Sequence, residues 1–73
     1  MKELNVTVSI PDPNRFEEVV QAARKHGLKV QKAFPPLGIA TGAVEQSRLG
    51  TLRALPGVGS VEEERIYRAL HPA

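Results

Sequence analysis

The sequence predicts an α+β domain in which a four-stranded antiparallel sheet carries two helices on one face. Its hydrophobic periodicities follow the order strand, helix, strand, strand, helix, strand. They form two strand–helix–strand halves of similar length, over residues 3–34 and 37–67. A chain of 73 residues can build one small core and nothing larger. We therefore expect a single domain over residues 1–67 and a flexible tail over residues 68–73.

The first half begins with a strand and an amphipathic helix. Apolar and polar residues alternate from Leu4 to Ile10, which is the period of a half-buried strand. Asp12 or Asn14 can cap the following helix, and Gly27 suits the left-handed residue that ends it. The apolar face of this helix falls at helical spacing and consists of Phe16, Val19, Val20 and Ala23.

The second strand is predicted directly after Gly27. Leu28, Val30 and Phe34 should face the core. The opposite side should carry Lys29, Gln31 and Ala33. Lys32 interrupts this alternation.

The second half repeats the plan of the first. Pro35-Pro36 separates the second strand from a third strand over residues 37–44. Ser47 can cap a second helix, which ends at Pro56-Gly57. The fourth strand follows over residues 58–67. Two such halves form the ferredoxin-like βαββαβ sandwich. The sheet face without helices must be solvated, covered by a partner, or shared with a second copy.

Composition argues against several classes of function. The chain has no cysteine, and its ten basic and eight acidic residues leave a net charge of only +2. Three aromatic residues cannot supply the stacking surface that binds single-stranded nucleic acid. The N-terminus alternates polar and apolar residues, and no segment reaches the length of a membrane span. We therefore expect a cytoplasmic protein that binds neither nucleic acid nor membrane.

No pattern in the sequence indicates catalysis or a cofactor. His26 and His71 are the only histidines, and neither stands at metal-ligand spacing from another ligand residue. The lysines fall on predicted exposed faces, where burial cannot lower the pKa of an amine. We therefore expect a protein that is not an enzyme, without a metal or a cofactor.

The acidic run Glu62-Glu63-Glu64 on the last strand has two interpretations. Charges on an edge strand prevent edge-to-edge aggregation, which requires no function. Alternate carboxylates on an exposed face can also approach helix N-termini of a partner, where free amides and the helix dipole favour anions.

Residues 52–64, Leu-Arg-Ala-Leu-Pro-Gly-Val-Gly-Ser-Val-Glu-Glu-Glu, resemble the closing motif of subtilisin propeptides, the inhibitor I9 family. The resemblance implies a domain that binds or inhibits a subtilisin-like serine protease, or assists its folding. By position, Glu62 and Glu64 would cap two protease helices. The residues expected to lie in the substrate cleft are Tyr67, Arg68, Ala69 and Leu70. The chain continues with His71-Pro72-Ala73, which weakens the match to a product-like inhibitor.

A second resemblance covers nearly the whole chain. Small stand-alone bacterial proteins often named ketohydroxyglutarate aldolase carry stretches similar to residues 8–10, 38–42 and 61–67. Aldolases that own this name use a barrel of about 200 residues or more and a buried Schiff-base lysine. We expect the name not to describe an activity of this chain.

Two other functions stay open. The chain is similar in element order to ACT domains, which bind small regulatory molecules. Asp12-Pro13, Gly27 and residues 55–58 are compatible with that family, whereas Asn14 replaces its usual glycine. The remaining alternative is self-association, with a homodimer formed through the open sheet face.

Overall fold

A computed structural model describes residues 2–63 of the chain. Its strands are β1 (Glu3–Ser9), β2 (Lys29–Phe34), β3 (Ile39–Glu45) and β4 (Ser60–Glu63), and its helices are α1 (Phe16–Lys25) and α2 (Leu49–Arg53). The strands form one sheet in the order β2-β3-β1-β4, and every neighbouring pair is antiparallel. The predicted α+β class, four-stranded antiparallel sheet and two helices are confirmed, and the arrangement is compatible with a ferredoxin-like fold.

One core joins the sheet to both helices. The side chains that β1, β3 and β4 contribute to this core are apolar and lie on one face of the sheet, as strand alternation requires. The helices contribute the buried residues Phe16, Val19, Val20, Ala23, Leu49 and Leu52. The predicted apolar face of α1 is therefore confirmed, and the opposite face of the sheet lies outside this core.

Local hydrogen bonds set the two ends of α1. The Asp12 carboxylate accepts a hydrogen bond of 2.9 Å from the backbone N–H of Asn14, in a short 3₁₀ turn over Pro13–Arg15. Helix α1 starts directly after this turn. At the other end Gly27 has a φ of 105°, in the left-handed region that glycine adopts without strain. The N–H of Leu28 then donates to the Ala23 carbonyl at 3.0 Å, which closes the helix.

Strand β2 differs from the prediction because it contains a bulge. Val30 lies opposite Gly42 and Lys32 lies opposite Thr41, so Gln31 is an extra residue without a partner on β3. The bulge reverses the expected faces beyond it. Phe34 does not face the core and is 37% exposed, and Ala33 takes the side of the helices, opposite buried Ala40. This bulge explains why Lys32 interrupts the alternation of apolar and polar residues in the sequence.

Two further predictions in the second half were wrong in detail. The third strand begins at Ile39, because Pro35–Leu37 form a 3₁₀ turn that ends at Gly38 with a φ of 69°. Ser47 does not cap α2. It lies within a 3₁₀ turn over Gln46–Arg48, and its hydroxyl donates to the Glu45 carboxylate at 3.1 Å. Pro35-Pro36 and Gly38 therefore decide where β3 begins, whereas the turn before α2 contains neither residue type.

The described part of β4 begins later than predicted, at Ser60. Its neighbour is β1, with Val61 opposite Val8 and Ser60 opposite Ser9. The expected extension of this strand to Tyr67, and the tail beyond it, lie outside the described residues.

Candidate protein-binding surface

The sheet face that points away from the helices is the candidate functional surface, and we call it the open face. Directly opposite residues in a sheet share a face, so the register defines rows of side chains that run across the strands. The row at one end is Phe34, Ile39, Ser9 and Ser60. The next row is Lys32, Thr41, Thr7 and Glu62. Lys29, Ala43 and Asn5 follow, and then the pair Glu45 and Glu3.

The open face is flat at its centre. Thr7 and Thr41 are half-buried and lie opposite each other on the two central strands. Asn5 and Ala43 form the neighbouring central pair. Since these side chains are short, another protein surface can approach the backbone of β1 and β3 closely. An apolar corner adjoins this centre, where Phe34 meets half-buried Ile39.

In the row that Lys32 and Glu62 share, charge is divided between the two edges of the open face. Lys29 and Lys32 are exposed on edge strand β2, and Glu62 is exposed on edge strand β4. Lys32 and Glu62 stand at opposite ends of one row, separated by two threonines. At three strand spacings, their backbones are about 14 Å apart, which is too far for a direct ion pair. This row is therefore basic at its β2 end and acidic at its β4 end.

One ion pair lies across the remaining end of the open face. The Lys29 Nζ is 2.6 Å from the Glu3 Oε2, in a contact that leaves both side chains largely in solvent. The hydrogen bond to Glu3, supported by the charge of the same carboxylate, raises the pKa of Lys29. The pair therefore balances one of the two carboxylates in the Glu3–Glu45 row.

The neighbours Glu62 and Glu63 point to opposite faces of β4. Glu62 is paired with Thr7 and belongs to the open face, whereas Glu63 is paired with buried Val6 and takes the side of the helices. Both are exposed, so they differ in direction and not in solvent access. The acidic run is therefore divided between two surfaces, and Glu62 is the member that a partner on the open face would contact.

An arginine occupies part of the free edge of β4. The Arg53 guanidinium donates to the Val61 carbonyl from Nε at 3.4 Å and from Nη2 at 3.2 Å. A strand added at this edge would compete for the same acceptor. The contact favours recognition through the open face over strand addition beside Val61.

Of the predicted binding residues, Glu62 lies within the described part of the chain, and it is on the open face. The others, Glu64, Tyr67, Arg68, Ala69 and Leu70, lie outside the described residues. Sequence reasoning did not include Lys29 and Lys32 in a site. Their spacing of three residues puts them on opposite faces of a regular strand, and only the bulge at Gln31 brings both to the open face.

The described residues show no sign of a metal centre or a membrane span. Residues 2–63 contain no cluster of three or more side chains that could hold a metal ion. In the same part of the chain, no helix is both long and apolar enough to cross a bilayer. Asp12, a residue of the ACT-like alternative, is engaged as the local cap of the turn before α1.

Comparison of the chain with protein-family models, with curated proteins and with solved structures gives no significant match.

Proposed function

We propose that this chain is a non-catalytic, ferredoxin-like interaction domain of the subtilisin-propeptide type. It binds a subtilisin-like serine protease through its open face and through residues 67–70. The observation that carries the proposal is the position of Glu62, exposed on β4 and on the open face. The strand order β2-β3-β1-β4 and the two helices on one face agree with the ferredoxin-like plan of such domains.

The physical basis of recognition is a carboxylate presented on a flat surface. The first turn of a helix has backbone N–H groups without partners and the positive end of the helix dipole. A carboxylate brought to that turn accepts charge-assisted hydrogen bonds, as anions do at helix N-termini. Because Thr7 and Thr41 are short, helix ends of a protease can reach the level of the Glu62 carboxylate. Tyr67–Leu70 would then enter the substrate cleft.

The test is a titration of the purified chain into a subtilisin that cleaves a chromogenic peptide, followed by mass analysis of the mixture. We expect dose-dependent inhibition, with the chain intact or trimmed after Leu70. Glu62→Gln should raise the inhibition constant at least about tenfold, because one charge-assisted hydrogen bond contributes about 1.5–3 kcal/mol.

Glu63→Gln is the matched control for this titration. It makes the same chemical change one residue away, on the side of β4 that faces the helices. The inhibition constant of this variant should stay within about twofold of the wild-type value. Equal effects of the two substitutions, or digestion of the wild-type chain without inhibition, would contradict the proposal.

A further inference from the structure

We infer that two copies of this chain associate through their open faces, with a twofold axis parallel to the strands. The inference does not depend on protease binding. It rests on the row that runs from Lys32 on one edge of the sheet, through Thr41 and Thr7, to Glu62 on the other edge. Among residues 2–63, the ion pairs are Arg15–Glu18 and Lys29–Glu3, so neither end of this row is paired there.

A twofold axis makes the open faces of two copies complementary in charge, because Lys32 and Glu62 lie at opposite ends of one row. A twofold axis along the strands, between β3 and β1, places β2 of each copy over β4 of the other. The same row then faces itself in reverse order, so that each Lys32 meets the partner's Glu62 and each Thr41 meets the partner's Thr7. A twofold axis across the strands would instead place β2 over β2, with lysine against lysine. Charge therefore selects the first arrangement.

The dimensions of packed sheets suit these pairs. Face-to-face sheets lie about 10 Å apart, and an extended lysine and an extended glutamate together span that distance. The threonines between them are short enough for the sheets to reach this spacing. The exposed Phe34 ring, at the end of the neighbouring row, would be covered by the partner's Ser60 edge. Two ion pairs thus frame a centre of small residues.

The row formed by Glu3 and Glu45 opposes association through like charges, and nearby groups reduce this repulsion. The same axis brings Glu3 of each copy over the partner's Glu45, which are like charges. The Lys29 ammonium, 2.6 Å from Glu3, offsets one of these carboxylates. The Glu45 carboxylate accepts a hydrogen bond from the Ser47 hydroxyl at 3.1 Å. This row is therefore less repulsive than its two acidic residues imply.

Charge reversal tests the arrangement by sedimentation equilibrium. The wild-type chain should dimerise. In a Lys32→Glu homodimer, glutamate faces glutamate at two symmetric places, and in a Glu62→Lys homodimer lysine faces lysine. Each substitution alone should raise the dimer dissociation constant at least about tenfold. The double variant Lys32→Glu, Glu62→Lys restores both pairs with the charges exchanged, and should dimerise within about threefold of wild type.

A mixture of the two single variants provides a stricter test. Each Lys32→Glu chain can pair with a Glu62→Lys chain through one native and one exchanged ion pair, so the mixture should form heterodimers that neither variant forms alone. Glu63→Lys is the control, because Glu63 lies on the other side of β4 and should leave association unchanged. A monomeric wild-type chain at about 1 mM, or no rescue by the double variant, overturns the inference.

The same variants distinguish this inference from the proposed function. Glu62→Lys should lose protease inhibition whether or not Lys32→Glu accompanies it, because the partner there is a helix end. Its dimerisation, in contrast, should return when Lys32→Glu is added. Rescue of association without rescue of inhibition supports both conclusions. If Glu62→Lys weakens dimerisation but not inhibition, the proposed function fails. If it weakens inhibition but not dimerisation, the inferred dimer fails.

Discussion

At the scale of single residues, Gly42 shows how a close backbone contact limits sequence. A Cβ at this position would overlap the Lys29 carbonyl oxygen and come within 3.0 Å of the Val30 Cα. These are backbone atoms of the neighbouring strand, so they cannot move aside without disturbing the β2–β3 pairing. The close approach of the two backbones therefore lies between Gly42 and the start of β2.

We expect Gly42→Ala to lower the free energy of unfolding by about 1–3 kcal/mol, the usual effect of overpacking a core without room to expand. Gly50→Ala is the control, because Gly50 lies in α2 and an added Cβ meets nothing within 4 Å. That substitution should raise stability by roughly 0.5–1 kcal/mol, since alanine loses less backbone entropy in a helix. Urea denaturation measures both, and similar effects of the two substitutions would contradict the argument.

At the scale of elements, the bulge in β2 explains both a failure of prediction and the composition of the open face. Regular alternation predicts Phe34 in the core and cannot accommodate Lys32. With Gln31 as the extra residue, Lys29 and Lys32 share the open face, and Phe34 joins them. A bulge leaves only an irregularity in the sequence pattern, which signals that alternation breaks without showing which residue is extra.

Deletion of Gln31 tests this description of β2. The pairs Lys29–Ala43, Val30–Gly42, Lys32–Thr41 and Phe34–Ile39 would become one continuous register without changing the face of any side chain. We therefore expect a folded protein whose unfolding free energy changes by about 1 kcal/mol or less.

Deletion of Thr41 is the control in the neighbouring strand. Thr41 is paired on both sides, with Thr7 and with Lys32, so its loss would shift half of β3 to the wrong face. This variant should lose its cooperative unfolding transition, as followed by circular dichroism in urea. If the two deletions were equally harmful, Gln31 would not be the extra residue.

At the scale of the whole molecule, element order and the core of the first helix could be predicted from the sequence, whereas the site could be predicted only in part. The spacing of Phe16, Val19, Val20 and Ala23 was sufficient to predict the buried face of α1, because that face depends only on the sequence of the helix itself. Glu62 was singled out from the acidic run, whereas Lys32 was not, because the two residues share a row only once four strands are assembled. The role of Glu62 in binding stays a prediction.

Both proposed interactions use the open face, so they should compete. When the chain concentration exceeds the dissociation constant of the dimer, most of the chain is dimeric. A dimer must then dissociate, at a cost in free energy, before a protease can bind the open face. The apparent inhibition constant of the wild-type chain should therefore rise with chain concentration. Lys32→Glu, which keeps Glu62 but weakens the dimer, should remove this dependence. If the wild-type chain is dimeric and its apparent inhibition constant does not depend on chain concentration, the protease and the second copy bind different surfaces.

The division of charge across the open face also bears on how fast two copies meet. A basic edge and an acidic edge give the face an in-plane dipole directed from β4 to β2, with Glu62 and Lys32 near its ends. In the proposed arrangement the two facing dipoles are antiparallel, so they attract before any side chains touch. Such steering orients the encounter at a distance, raises the association rate constant, and is weakened by salt over the Debye length of about 10 Å at 0.1 M.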